Sequence, residues 1–90
     1  MFTIKYHKRV VDDISSLSKT AKDRIQKAIE EKLTTQPQLF GKPLRYSLIG
    51  FRSLRVGDHR VVYLIENSKQ VFILLIAHRS EVYKLISRRP

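Results

Sequence analysis

The sequence predicts an α+β fold in the order β-α-α-β-β-β, with an antiparallel C-terminal meander and a short final helix. Three observations lead to this prediction. Phe2, Ile4 and Tyr6 alternate with polar residues, which is the pattern of a half-buried strand. Apolar residues then recur at helical spacing as far as Leu33, and from Phe51 onward the pattern changes to three short strands. Ninety residues suffice for one hydrophobic core, so a single domain spanning 1–90 is expected.

Two helices are predicted after the first strand. Val10, Ile14 and Leu17 share one helical face and define a short first helix. The second helix has Thr20 as its candidate N-cap, with Asp23 three residues later. Its apolar stripe comprises Ile25, Ala28, Ile29 and Leu33, and it ends before Pro37. Because the link between the helices is short, they are expected to pack as an antiparallel hairpin on one face of the sheet.

The segment after the second helix is predicted to be a loop that packs on the core. Pro37, Gly41 and Pro43 interrupt regular structure there. The residues expected to anchor the loop are Leu39, Phe40 and Leu44.

Three strands and a final helix complete the predicted fold. The strands cover 52–56, 59–65 and 70–77, and the turns between them cover 57–58 and 66–69. The last strand is apolar on both faces and is therefore expected inside the sheet. Ser80 is the candidate cap of a final helix over 81–89. With the hairpin on one face, the other face or a concave edge beside it is left for function.

The charge of the chain gives the first functional prediction. Eighteen Lys and Arg against eight Asp and Glu give a formal net charge of +10. Residues 1–41 hold eight basic and five acidic residues, a net +3, whereas 42–90 hold ten and three, a net +7. Such a field attracts nucleic acid, acidic proteins or anionic membrane surfaces, and solubility alone is the plainer alternative. We interpret the stretch from Arg52 to Tyr83 as a surface that binds a polyanion.

Several other classes lack their sequence features. The chain has no cysteine, and its longest apolar run, Val71–Ala77, is too short to span a bilayer. The N-terminus lacks the apolar core of a signal peptide, so a cytoplasmic protein is expected. No glycine-rich phosphate loop, metal-ligand spacing or serine-nucleophile motif is present. We therefore expect no metal site and no small-molecule cofactor.

Four arginines could line one groove. Arg52, Arg55, Arg60 and Arg79 fall on the three C-terminal strands or just beyond a strand end. The planar guanidinium matches phosphate oxygens bidentately and stays charged near neutral pH. Any one of these arginines alone is better explained as an exposed strand charge, so the prediction of phosphate binding depends on the set.

Two residues at the end of the last strand could join these arginines. His78 directly precedes Arg79, and histidine is suited to proton transfer near neutral pH. Tyr83 lies among charged residues, where its ring could stack on a base or could instead cover the end of the sheet. Tyr63, by contrast, is predicted to be a core residue because it lies inside a strand with Val61 and Ile65 on the same face.

Two blocks of sequence resemble a known family. Residues 55–63, Arg-Val-Gly-Asp-His-Arg-Val-Val-Tyr, and 78–83, His-Arg-Ser-Glu-Val-Tyr, resemble the RelE branch of the RelE/ParE toxin superfamily. The length, the basic charge and the element order are similar as well. The resemblance implies a RelE-like fold and the toxin of a type II toxin–antitoxin pair, which cuts mRNA in the ribosomal A site through metal-free attack by the ribose 2′-hydroxyl.

The resemblance also implies roles for individual residues. Arg60 matches an arginine that contacts the scissile phosphate, and Tyr83 matches a tyrosine that stacks on the substrate base. Arg79 and His78 lie where a catalytic arginine or histidine is found, and both remain candidates for the general acid. The predicted catalytic residues are thus Arg60, Arg79, His78 and Tyr83, and the predicted RNA-binding residues are Arg52, Arg55 and Lys84. The implied partners are a small acidic antitoxin, the ribosome and mRNA, with no membrane.

Two alternatives to the nuclease remain open. A toxin of the ParE branch would share the fold but inhibit DNA gyrase. A non-catalytic module that binds RNA or a protein partner could also retain the scaffold. Cuts within codons are expected of the nuclease, DNA damage with intact mRNA of the gyrase inhibitor, and neither of the binding module.

Overall fold

The computed structural model describes residues 1–44 and 50–89, and its elements follow the predicted order with one addition. The strands are β1 (Thr3–Tyr6), β2 (Lys42–Pro43), β3 (Phe51–Val56), β4 (His59–Ile65) and β5 (Gln70–His78). The helices are α1 (Val10–Ser15), α2 (Lys19–Ala28) and α3 (Val82–Ile86), and α2 continues into a single π-helical turn, Ile29–Leu33. The α+β fold predicted from the sequence is confirmed, and the short strand β2 is the element that was not predicted.

Within the described residues, the strands form one mixed sheet in the order β1-β5-β4-β3-β2. The pairs β2–β3, β3–β4 and β4–β5 are antiparallel, so the C-terminal meander is confirmed. β1 runs parallel to β5, with Tyr6 opposite Ile73. This parallel pair needs a crossover connection, which α1 and α2 supply. The apolar strand β5 lies inside the sheet, as its sequence indicates.

The helical hairpin covers one face of the sheet, as predicted. Ser18, and not Thr20, is the N-cap of α2, because its side chain accepts a hydrogen bond from the backbone N–H of Ala21 at 3.1 Å. Tyr63 is fully buried in this layer, which confirms its assignment to the core. The core between the hairpin and the sheet contains Val10, Ile25, Ile29, Leu33, Leu54, Val61, Tyr63, Val71, Ile73 and Ile76.

The opposite face of the sheet is partly covered by α3. A register shift on β5 opposite Val62 and Tyr63 leaves Leu74 unpaired, so that both Leu74 and Leu75 lie in the second core. The remaining members of this second core include Val62, Ala77 and Val82, with Leu85 and Ile86 packed against them. The expectation that this face is left open is therefore wrong where α3 packs, because α3 has its own apolar stripe to bury.

The final helix is shorter than predicted and begins differently. It covers Val82–Ile86 and not 81–89, and its N-cap, Glu81, makes no side-chain capping bond. The side chain of Ser80 forms a hydrogen bond with His78 instead, so Ser80 is not the N-cap of the helix. The competing hydrogen bond explains the error, since serine binds whichever local group is nearest.

Tyr63 and Arg52 hold the loop before β2 in place. The Tyr63 hydroxyl is within hydrogen-bonding distance of the carbonyl oxygens of Pro37, at 2.8 Å, and of Phe40. Gly41 has a φ of 70°, and a Cβ built there would lie 2.6 Å from the Tyr63 hydroxyl oxygen, so glycine is required. Phe40 and Leu44 pack on the two cores, as expected of loop anchors. Leu39 does not, since it is 66% exposed.

In the part of the chain that the structure describes, no helix combines the length and the apolar character needed to cross a membrane.

Candidate active site

A groove of about 780 Å³ opens where β2, β4 and β5 meet the start of α3. Four residues predicted from the sequence to be catalytic line it together: Arg60, His78, Arg79 and Tyr83. The other lining residues are Lys42, Pro43, Leu44, Ser53, Ser80 and Val82. The fold therefore places residues from 42 to 83 around one cavity.

Arg60 is the most firmly positioned cation of the groove. It lies on β4 opposite Ala77 of β5 and is only partly exposed. Its Nη1 donates to the hydroxyl oxygen of Ser53 on β3, at 3.3 Å. Val61 and Val62, which follow it, are completely buried. The backbone beneath Arg60 is thus fixed by core packing, and its guanidinium keeps further donors for a ligand.

His78 has a defined ring orientation at the end of β5. Its Nδ1 accepts a hydrogen bond from the backbone N–H of Ser80 at 3.2 Å and lies 2.8 Å from the Ser80 hydroxyl oxygen. That hydroxyl can donate to Nδ1 or accept from it, whereas the bond from the Ser80 backbone N–H requires an unprotonated Nδ1. The edge of the ring meets His59, with centroids 5.9 Å apart. Nε2 is the nitrogen left for a ligand.

Arg79 and Tyr83 complete one wall of the groove. The backbone N–H of Arg79 donates to the Asp58 carbonyl oxygen at 2.8 Å, which ties the β5–α3 connection to the β3–β4 turn. The Arg79 side chain is exposed, and Tyr83 on α3 is 56% exposed although its neighbour Val82 is buried. A half-exposed ring beside cations is suited to stacking on a base.

Lys42 is a groove residue that the sequence analysis missed. It lies on β2 directly opposite Ser53, which in turn binds Arg60. A lysine between Gly41 and Pro43 was available as a signal, since glycine allows a positive φ before it and proline fixes φ after it. The pairing that brings Lys42 beside Ser53 joins residues eleven apart across a two-residue strand, and no local periodicity reveals it.

Three residues predicted to bind RNA do not line the groove. Arg52 uses its guanidinium to hold the loop before β2, donating from Nε to the Phe40 carbonyl oxygen at 3.2 Å and from Nη2 to that of Gly41 at 3.0 Å. Arg55 is exposed, and its Nε donates to the Gly57 carbonyl oxygen at 3.0 Å. Lys84 lies exposed on α3, outside the lining set. The expected groove of four arginines is therefore wrong for Arg52 and Arg55.

The electrostatics of the groove are one-sided. Lys42, Arg60 and Arg79 supply three permanent positive charges, and no Asp or Glu of the described residues lines it. Within the same residues, no group of three or more His, Cys, Asp or Glu could hold a metal ion. The arrangement can bind a polyanion and stabilise negative charge that develops on a phosphate.

Comparison with known proteins identifies a family for this chain. Residues 4–83 match the family described as the ParE toxin of the type II toxin–antitoxin system parDE. Toxin RelE of Mycobacterium tuberculosis is 46% identical over 59 residues, which cover 64% of this chain and 61% of that protein. The aligned segment thus spans less than two thirds of that relative.

Solved structures share the fold over nearly the whole chain. The toxin–antitoxin complex RelBE2 of M. tuberculosis contains a chain that is 29% identical with a TM-score of 0.79, covering 87% of this chain and 98% of that one. A mutant of E. coli toxin RelE, solved in complex with an antitoxin RelBc peptide, is 23% identical with a TM-score of 0.69, covering 94% and 93% of the two chains. The RelE-like fold implied by the two sequence blocks is confirmed.

Proposed function

The chain belongs to the ParE toxin family of type II toxin–antitoxin systems, and within this family we propose that it is an endoribonuclease that cuts mRNA in the ribosomal A site and so blocks translation. The RelE-named relative at 46% identity supports the nuclease branch of the superfamily. The proposal covers both the RNA chemistry and its dependence on the ribosome.

The charge of the groove is the observation that carries this proposal. Cleavage of RNA by its own 2′-hydroxyl needs the reacting groups to be aligned and the negative charge on the phosphate to be stabilised. Lys42, Arg60 and Arg79 supply that charge from three different strand ends. Tyr83 supplies a surface on which the base beside the cleaved bond can stack.

The proposed reaction proceeds in one displacement. The 2′-hydroxyl oxygen of the substrate attacks the adjacent phosphorus, so that the O2′–P bond forms as the P–O5′ bond breaks. Arg60 and Arg79 bind the non-bridging oxygens as their negative charge increases, and Lys42 adds to the positive field. The products are a 2′,3′-cyclic phosphate on one fragment and a 5′-hydroxyl on the other.

His78 and Arg79 have different roles in the proposed reaction, because only His78 transfers a proton. His78 in its protonated form donates from Nε2 to the leaving O5′. In that form, Nδ1–H donates to the Ser80 hydroxyl oxygen, and the bond that Nδ1 accepts from the Ser80 backbone N–H is broken. Arg79 binds the phosphate oxygens and takes no part in the proton transfer. No described carboxylate lines the groove to accept the proton of the 2′-hydroxyl. That proton passes to water or to a ribosomal group, which gives a chemical reason for ribosome dependence.

An antitoxin is the proposed protein partner. The RelBE2 and RelE–RelBc structures are complexes of toxin and antitoxin, and they support the same type of partner for this chain. The net charge of +10 favours a small acidic protein. Addition of such an antitoxin, encoded beside the toxin, should suppress mRNA cleavage in proportion to the amount of complex formed.

Primer extension in a purified cell-free translation system tests the proposal. Added protein should produce new mRNA 5′ ends within codons, and omission of ribosomes should remove them. Arg79→Ala should abolish the cuts, whereas Arg55→Ala, an exposed arginine outside the groove, should preserve them. Intact message in the presence of translating ribosomes would rule out the nuclease.

Gyrase inhibition is the second candidate, because the matching family is described as ParE. A DNA supercoiling assay with purified gyrase separates the two activities. We expect supercoiling to proceed at its normal rate. Inhibited supercoiling together with intact mRNA would show that the protein is a gyrase inhibitor and not a nuclease. Normal supercoiling together with intact mRNA would indicate a non-catalytic binding module.

A further inference from the structure

One buried ion pair joins the two ends of the chain. Arg89 and Asp13 meet in a bidentate arrangement, with Nη1–Oδ2 at 2.7 Å and Nη2–Oδ1 at 2.8 Å. Their side chains are only 5% and 6% exposed. The two other ion pairs between described residues, Arg9–Asp12 and Lys27–Glu31, are largely exposed and lie within one or two helical turns. Hydrogen bonding to Asp13 raises the pKa of Arg89.

The same two side chains also bind the backbone of β5. Arg89 Nη1 donates to the Leu74 carbonyl oxygen at 3.0 Å, and the Ile76 N–H donates to Asp13 Oδ2 at 3.0 Å. The pairing of β1 with β5 ends at Ile73, so these groups lie on the strand edge beyond β1. The pair therefore satisfies buried backbone groups that a longer β1 would otherwise bind. We call these four interactions the Asp13–Arg89 clasp.

The clasp connects the two layers of the protein across the edge of the sheet. Asp13 lies on α1, whose Val10 belongs to the core beneath the hairpin. Arg89 follows α3, whose Val82 belongs to the core on the opposite face. Backbone bonds from Arg88 to Leu85 and from Arg89 to Ile86 continue the turns of α3 to the clasp. Any movement of Arg89 is thus transmitted to α3.

The start of α3 forms part of the groove, because Val82 and Tyr83 line it. Apolar packing of a five-residue helix resists its removal from the sheet but fixes its translation along the sheet only weakly. Bidentate hydrogen bonds are directional and fix both distance and angle. The clasp supplies that directional restraint at the end of the helix away from the groove.

We propose that Asp13 and Arg89 are positioning residues that hold α3, and with it Tyr83, in register with the cations of the groove. Neither residue lines the groove, so each acts through the helix. The consequence for RNA cleavage depends on the proposed function, whereas the restraint on α3 can be measured in its absence.

Three variants of the full chain, with a matched control, test the proposal. Arg89→Lys keeps the charge but removes the bidentate geometry. Asp13→Leu with Arg89→Met replaces the pair by apolar side chains, which leaves no unpaired buried charge but removes the partners of the Leu74 carbonyl oxygen and the Ile76 N–H. Arg89→Met alone leaves Asp13 buried without its partner. Arg88→Met is the control, because Arg88 is exposed and none of the four bonds of the clasp involves its side chain.

Two readouts are needed: amide hydrogen exchange at Leu85 and Ser87, whose N–H groups donate to the carbonyl oxygens of Glu81 and Tyr83, and the kinetics of ribosome-dependent cleavage. We expect exchange at α3 to accelerate about tenfold or more in Arg89→Lys and in the double variant, since the restraint is lost in both. We expect kcat to fall about 10- to 100-fold with little change in KM, because misplacement of a substrate-positioning group affects the reaction more than binding. Arg88→Met should match the parent in both readouts.

The double variant separates positioning from stability. Fast exchange at α3 and a lowered kcat, in a double variant that circular dichroism shows to be folded at the assay temperature, support the proposal. Parental exchange and parental kcat in the double variant would overturn it. If the parent itself cuts no mRNA, the proposed function fails, and the exchange result alone decides whether the clasp restrains α3.

Discussion

Arg60 is the residue on which the proposed chemistry depends most. Its guanidinium is partly buried and is held by Ser53, so it is organised before substrate arrives. Arg60→Ala should reduce the rate of single-turnover cleavage on the ribosome by about 10²–10³-fold, the effect of removing one preorganised charge donor. The fold should remain intact, as measured by circular dichroism, because the alanine leaves the core beneath it unchanged.

Arg55→Ala is the matched control for that prediction. Arg55 pairs with Arg60 across β3 and β4 but is exposed and binds its own turn. Its removal subtracts the same charge from the same sheet without altering the groove. Equal losses of cleavage in the two variants would show that overall charge, and not the groove, determines the rate.

Strand alternation explains why the sequence grouped the arginines wrongly. Arg52 and Arg55 are an odd number of residues apart, so they point to opposite faces of β3. Ser53 shares the groove side, which leaves Arg52 facing the loop before β2. The odd spacing between Arg52 and Arg55 can be read directly from the sequence. The sequence did not reveal that Arg55 would turn toward Gly57, because this depends on the conformation of the turn.

At the scale of elements, the loop before β2 positions Lys42 at the groove. Tyr63 anchors this loop from inside the core, and burial raises the pKa of the Tyr63 phenol. Tyr63→Phe should lower the free energy of unfolding at neutral pH by about 1–2 kcal/mol, because buried carbonyl oxygens lose their donor. Urea denaturation of parent and variant measures this difference.

The difference in unfolding free energy between the parent and Tyr63→Phe should depend on pH in the alkaline range. A phenol whose pKa is raised in the folded state stabilises the protein fully below the ordinary tyrosine pKa of about 10, and that contribution is lost as pH rises through the folded value. The advantage of the parent over Tyr63→Phe should therefore shrink above about pH 10, by at most about 1.4 kcal/mol per pH unit. A constant advantage across this range would contradict the burial of an un-ionised phenol.

Elements with a strong local pattern were predictable, and those defined by distant partners were not. The hairpin, β3, β4 and β5 follow from apolar periodicity, and so does the interior place of β5. β2 has two residues and exists only because Lys42 and Pro43 meet β3. The path of the chain after α3 depends on the ion pair between Arg89 and Asp13, which lies 76 residues earlier. The predicted helix over 81–89 therefore extends too far, because no pattern in the sequence indicates this distant contact.

At the scale of the whole molecule, the net charge of +10 should control the encounter with the ribosome. Each phosphate contact releases bound counterions, so binding to single-stranded RNA weakens with salt by a log–log slope of about −0.7 per contact. We expect kcat/KM for cleavage to fall steeply between about 50 and 200 mM KCl, while kcat changes little. A kcat/KM that does not depend on salt would contradict electrostatic capture.

The family and the fold could be predicted from the sequence, whereas only some of the residues that line the groove could be. The blocks at 55–63 and 78–83 contain all four predicted catalytic residues that the groove brings together, Arg60, His78, Arg79 and Tyr83. Lys42 and Ser53 enter the groove through strand pairing, which no single block encodes. Their contribution became visible only once the register of β2 and β3 was known.

The most direct test of the central claim is cleavage of an mRNA that carries a single 2′-deoxynucleotide at a mapped cut site. If the groove promotes attack by the substrate's own 2′-hydroxyl, cleavage should disappear at the substituted position and persist at other sites on the same message. The fragments from those other sites should end in a 2′,3′-cyclic phosphate. Unchanged cleavage at the 2′-deoxy position would contradict the account, because that bond would have been broken without its nucleophile.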